Sequence, residues 1–108
     1  MLTVEEIKKR IIPVLQENNV RGAVLFGSYA KGTANEDSDV DLLVDCDLEG
    51  IDFISLKYDL LEILKITSFD VFDITHIIPD SIIDKEIKKH GILLHGQIIG
   101  AALAPSAS

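Results

Sequence analysis

The sequence of 108 residues has few of the features that mark secreted, membrane-spanning or nucleic-acid-coating proteins. Its one cysteine, Cys46, cannot form a disulfide within the chain, which fits a reducing compartment. No apolar run approaches the length of a membrane span, and the first residues lack a signal-peptide pattern. Ten basic residues against 18 acidic ones give a formal charge of −8, which argues against a long nucleic acid as substrate. We therefore expect a soluble, cytoplasmic protein.

The spacing of the apolar residues predicts one small domain of the α/β (α+β) class. Segments with apolar residues at helical spacing alternate with short apolar runs typical of buried strands. This order predicts a small mixed sheet covered by helices. We assign the domain to residues 1–96 and expect residues 97–108, which are small and nearly featureless, to form a disordered tail.

Two helix boundaries are predicted from single residues. Pro13 falls inside the first helical pattern, so we expect a kink or an early end near Ile12. Asp52 precedes a later helical pattern and is expected to be its N-cap residue, because a carboxylate there can accept from the free N–H groups of the first turn.

A glycine-bounded turn is the most informative local feature. Residues 27–32 read Gly-Ser-Tyr-Ala-Lys-Gly and follow a short apolar run at 22–26 that is typical of a buried strand. Backbone N–H groups can approach a phosphate closely at a glycine, because no side chain projects from its Cα atom. We therefore predict that Gly27 and Ser28 hold phosphate groups and that the ammonium of Lys31 adds positive charge beside them.

Two acidic residues follow this turn on the next predicted strand. Asp39 and Asp41 are separated by one residue, so on a strand their side chains point to the same face. Carboxylates are hard oxygen ligands of the kind that Mg²⁺ prefers. The second strand must return beside the first, which brings this pair close to Gly27.

Each half of this pattern has an ordinary explanation when it is taken alone. A Gly-Ser pair after a strand is most often a simple turn, and alternating aspartates are often a solvated sheet face. Together and in this order they favour phosphoryl or nucleotidyl transfer, in which metal ions stabilise the attacking and leaving oxygens. The neighbouring acids Asp37 and Asp45 are expected to face solvent.

The full pattern resembles the signature of the DNA polymerase β-like nucleotidyltransferase superfamily. The resemblance lies in Gly27-Ser28, the ten intervening residues and Asp39-Val40-Asp41, and the wider run 25–44 is similar to the minimal nucleotidyltransferases with an MNT domain. It implies the nucleotidyltransferase fold. Lys31 stands where the family often has arginine, so the positive charge is kept but the bidentate fork is lost.

The family also uses a third carboxylate on a later strand, for which the sequence offers two candidates. Asp70 and Asp73 are three residues apart, so on a regular strand they face opposite sides and only one can join the first pair. The segment 69–74 resembles the family pattern in which the first aspartate is catalytic. We therefore favour Asp70, with Asp73 as the alternative.

The resemblance also implies a biological role. MNT proteins are similar to antitoxins that transfer AMP from ATP to a tyrosine of a HEPT-domain RNase toxin and so silence it. By this resemblance Asp39, Asp41 and Asp70 would bind Mg²⁺, as a pair of ions, and carry catalysis, and the chain would form a complex with its toxin. Two alternatives remain: transfer to the hydroxyl of a small molecule, and a non-catalytic antitoxin that only masks its toxin.

Overall fold

The computed structural model describes residues 2–97, which form four helices, a short 3₁₀ turn and four strands. All of the expected tail except Gln97 lies outside the described residues. In chain order the elements are α1 (Val4–Glu17), β1 (Gly22–Phe26), α2 (Ser28–Lys31), β2 (Val40–Asp45), α3 (Ile51–Leu64), β3 (Phe69–Asp73), the 3₁₀ turn (Ile74–His76), α4 (Ile82–His90) and β4 (Ile92–Gly96).

The four strands form one mixed sheet in the order β3-β2-β1-β4. Strand β1 pairs antiparallel with β2 and with β4, whereas β2 pairs parallel with β3. A parallel pair needs a crossover connection, and α3 provides it. The predicted class, a small mixed sheet covered by helices, is confirmed.

The two faces of the sheet are covered unequally. Helices α1 and α3 pack on one face and bury the larger apolar cluster, which includes Val40, Leu42 and Val44 of β2. Helix α4 packs on the other face mainly against β1, where Ile87 contacts the smaller cluster containing Leu43. Because side chains alternate along a strand, odd-numbered residues of β2 face the α4 side. Asp41 therefore lies on the same side of the sheet as Leu43 and α4.

Of the two outcomes expected near Ile12, a kink or an early end of α1, the early end is wrong. The helix continues to Glu17, and Ile7, Ile11 and Leu15 on its inner face are completely buried. A proline inside a helix leaves the carbonyl four residues earlier without its donor, here that of Lys9. Both Pro13 and Lys9 are exposed, so water can satisfy that carbonyl while burial of Leu15 beyond the proline stabilises the last turn.

The prediction that Asp52 caps α3 is also wrong. Gly50 is the N-cap residue, with φ of 57°, and the helix begins at Ile51. Asp52 therefore lies in the first turn, where its negative charge still interacts favourably with the helix dipole.

The acid Asp45, expected in solvent, is buried instead. Its side chain accepts a hydrogen bond from the guanidinium of Arg21 at 2.7 Å, and the same guanidinium also contacts Asp47. Asp37 is exposed as expected. Within residues 2–97 no helix is both long and apolar enough to cross a membrane.

Candidate active site

The glycine turn connects the end of β1 to the one-turn helix α2. Gly27 adopts φ of 75° and ψ of −156°, a conformation that is essentially restricted to glycine. Its carbonyl accepts from the backbone N–H groups of Ala30 and Lys31, which closes the turn. Gly32 ends α2 in the left-handed conformation. The turn thus folds as the sequence predicts, with Ser28 in the first turn of α2, where backbone N–H groups lack helical partners.

The acidic side chains lie directly beside this turn. Phe26 is paired with Asp41 across the antiparallel β1–β2 pair, and Asp41 is paired with Asp70 across the parallel β2–β3 pair. A Cβ atom built on Gly27 would stand 2.2 Å from Oδ2 of Asp41. Any side chain at position 27 would therefore occupy the space of this carboxylate.

The environment of Asp41 raises the pKa of its carboxyl to about 6. Burial is the main cause, and the negative charges of Asp70 and Asp39 add to it, together with a hydrogen bond between the Asp41 and Asp70 side chains. Asp39 precedes β2 and is exposed, whereas Asp70 is half-buried. The strand register thus concentrates negative charge at one place on the α4 side of the sheet.

Asp73 lies on the opposite face from Asp70. Its buried carboxylate accepts from the backbone N–H and the hydroxyl of Thr75 and lies 3.8 Å from Sγ of Cys46. It therefore caps the 3₁₀ turn that follows β3. Burial is also the main cause that raises the pKa of the Cys46 thiol.

Lys31 is held in an ion pair that sequence reasoning missed. Its Nζ atom lies 2.8 Å from Oε1 of Glu86 on α4. The ammonium of Lys31 lowers the pKa of Glu86, whose negative charge in turn acts on Asp41. No local pattern marks Glu86, because its position beside α2 arises only when α4 packs on β1.

The donor chemistry of these residues suits a divalent cation. The carboxylates of Asp41 and Asp70 are in contact and can both provide oxygen ligands. A bound cation would reduce the repulsion between their negative charges. Within residues 2–97 no three His, Cys, Asp or Glu side chains converge as a ready-made metal site. Asp39 is exposed, and its negative charge acts on Asp41, so the donor chemistry of the three carboxylates suits a divalent cation.

Two cavities lie near the ends of the parallel strand pair. One of about 390 Å³ lies beside Asp39 and is lined by Tyr29 and by the segment 65–68. Another of about 510 Å³ contains Cys46 and Asp73 and lies at the opposite end of the β2–β3 pair from Asp41 and Asp70. The carboxylates are the candidate site, and the larger cavity is not, because the glycine turn adjoins Asp41.

The close approach of Gly27 to Asp41 gives a stability prediction with a matched control. Gly27→Ala and Gly32→Ala both place a methyl group at φ of 75°, but only the first meets another residue within 4 Å. We expect Gly32→Ala to cost about 1–2 kcal/mol, measured by urea unfolding. Gly27→Ala should cost about 1–3 kcal/mol more, because its ψ of −156° is restricted to glycine and because its methyl group meets Asp41. In an Asp41→Ala background the cost of Gly27→Ala should fall, and an unchanged cost would show that the contact with Asp41 has no energetic effect.

Comparison with known protein families gives an independent finding. The family model described as polymerase beta, nucleotidyltransferase, matches residues 9–97. A Methanocaldococcus jannaschii protein named as a protein adenylyltransferase is 44% identical over 66 residues, an alignment that covers 58% of this chain and 70% of the relative. The protein adenylyltransferase MntA of Thermococcus cleftensis is 49% identical over 49 residues, covering 42% of this chain and 50% of MntA.

Solved structures share the fold. A toxin–antitoxin crystal structure with AMP-PNP contains a chain with a TM-score of 0.70 and 26% identity, and the match covers 83% of this chain and 73% of that one. A chain from the complex of a tri-AMPylated Shewanella oneidensis HEPN toxin with its MNT antitoxin gives a TM-score of 0.65 at 23% identity, covering 86% and 72% of the two chains. The second similarity concerns the fold alone.

Proposed function

Because the chain belongs to the polymerase beta nucleotidyltransferase family, we propose that it transfers AMP from ATP to a tyrosine hydroxyl of a HEPT-type RNase toxin. The transfer would silence the toxin, so the chain would act as an antitoxin in the cytoplasm. The observation that carries this proposal is the pairing of Asp41 with Asp70 beside the Gly27 turn. The names of the M. jannaschii and T. cleftensis relatives support the reaction class.

In the proposed reaction the acceptor hydroxyl attacks the α-phosphorus of ATP. A P–O bond forms to the tyrosine oxygen, the bond to pyrophosphate breaks, and the hydroxyl proton leaves. Asp70 would accept that proton, because it is half-buried and lies beside Asp41 on the same face. The turn at Gly27 and Ser28 would hold the β- and γ-phosphates through backbone N–H groups.

The proposal includes Mg²⁺ bound by Asp39, Asp41 and Asp70. When bound, Mg²⁺ would neutralise negative charge on the phosphate oxygens. Burial raises the pKa of the Asp41 carboxyl, and the charges of Asp70 and Asp39 add to it; this gathering of negative charge supports the assignment. Lys31 would contact the triphosphate from the end of α2, since it is 38% exposed and belongs to the one-turn helix that begins directly after Gly27.

A toxin partner is supported by two observations. The described residues, 2–97, are used by the nucleotidyltransferase fold itself, so within them no separate lobe holds an acceptor. The fold is similar, at 26% identity, to a chain in a toxin–antitoxin crystal structure with AMP-PNP. We therefore propose that the acceptor is presented by another protein and that the two chains form a hetero-oligomer.

The test is to incubate the chain with Mg-ATP and the protein encoded by the neighbouring gene, which the proposal expects to be a HEPT-type toxin. We expect the intact mass of that protein to increase by one or more AMP groups, located on tyrosine by fragmentation. Consumption of ATP with a small hydroxylated acceptor and without the toxin would favour the small-molecule alternative. An unmodified but inhibited toxin would favour masking.

A further inference from the structure

One ion pair joins two elements on the α4 side of the sheet. Lys31 ends the one-turn helix α2, Glu86 lies in the middle of α4, and their charged atoms are 2.8 Å apart. Both side chains are partly exposed, at 38% and 29%. A lysine has a flexible stem of four carbons, so without a partner its ammonium would sample many positions.

Glu86 also lies near the acidic cluster formed by Asp39, Asp41 and Asp70. Its partner Lys31 follows the turn at Gly27, which approaches the Asp41 carboxylate closely, and the negative charge of Glu86 adds a smaller contribution at Asp41 to those of Asp70 and Asp39. The carboxylate of Glu86 therefore has the Lys31 ammonium in direct contact and Asp41 within electrostatic reach. If Glu86 were neutral, the Lys31 ammonium would lose its partner, and the negative charges of the acidic cluster would attract it strongly.

We propose that Glu86 is a positioning residue that holds the Lys31 ammonium at the glycine turn and keeps it out of the acidic cluster. This inference rests on the proposed function, because it concerns the groups assigned there to nucleotide and cation. An ammonium inside the cluster would neutralise the charge that a divalent cation needs. The phosphates of the nucleotide would then no longer have the positive charge of this ammonium beside them.

The test measures binding without turnover, using Mn²⁺ as the cation and AMP-PNP as the nucleotide on the full chain. Glu86→Gln removes the charge with little change in shape, and we expect it to weaken binding of both probes by about two- to fivefold. Glu86→Asp keeps the charge and should stay closer to the wild-type affinity. Removing the released ammonium in the Lys31→Ala/Glu86→Gln double variant should restore Mn²⁺ affinity but leave AMP-PNP binding weak.

The double variant separates this proposal from a direct effect of Glu86 on the cation. Equal Mn²⁺ affinities of Glu86→Gln and the double variant would overturn the proposal, and so would a Glu86→Gln variant that binds like wild type. Glu62→Gln, an exposed position of α3, is the matched control for loss of one negative charge and should bind both probes normally. A wild-type chain that binds neither probe would instead contradict the proposed function on which the inference rests.

Discussion

Replacing Asp41 with asparagine should lower the rate of AMP transfer to the toxin by about a thousandfold. Asparagine keeps the size of the side chain and removes the negative charge that would hold the proposed Mg²⁺, which in turn would stabilise the phosphate oxygens in the transition state. Asp41 is the residue around which the candidate site is arranged, since it contacts Gly27 on one side and Asp70 on the other. The measurement is a single-turnover assay with radiolabelled ATP and saturating toxin.

Asp37→Asn is the control for this prediction. Asp37 is an exposed acid close to Asp39 in sequence, so its removal changes the net charge equally. It should leave the transfer rate within about twofold, because an exposed surface charge contributes little. Asp41→Asn should not lower the free energy of unfolding, since it relieves repulsion from Asp39 and Asp70. A variant that unfolds more easily and loses activity in proportion would contradict a catalytic role.

The second large effect is a contrast between Asp70 and Asp73: one substitution should remove activity and the other should lower stability. Asp70→Asn should abolish AMP transfer and leave the unfolding free energy unchanged or higher, because it too removes a repelling charge beside Asp41. Asp73→Asn should instead lower the unfolding free energy and leave AMP transfer intact. Its buried carboxylate bonds to Thr75, so we expect a loss of about 1–2 kcal/mol with transfer per folded molecule preserved.

Both variants are compared by urea unfolding and by the same single-turnover assay. Loss of transfer in Asp73→Asn at full folding, with Asp70→Asn still active, would reverse the assignment of the third carboxylate. That result would move the proposed chemistry to the face of the sheet covered by α3.

The parts of the site that are local in sequence could be predicted. The turn at Gly27 and the strand carrying Asp41 follow from glycine conformations and from the alternation of side chains along a strand. The same alternation shows that Asp70 and Asp73 must face opposite sides. The choice between them came from a family resemblance, because residue spacing alone does not reveal which of the two lies on the same face of the sheet as Asp41.

The parts that depend on packing could not be predicted. The partner of Lys31 is a glutamate far along the chain, and the pair forms only when α4 packs against β1. Asp45 was expected in solvent, but Arg21 reaches it from the beginning of β1. The early end predicted at Pro13 was wrong because burial of Leu15 stabilises the helix beyond the proline.

The most direct test of the account is the RNase activity of the toxin after it has been separated from this chain. Toxin treated with the chain and Mg-ATP, then purified under dissociating conditions and refolded, should remain inactive because the AMP group is covalent. Toxin treated with the Asp39→Ala/Asp41→Ala variant should regain its activity. Recovery of full RNase activity after treatment with the wild-type chain would contradict AMP transfer and show that inhibition requires only binding.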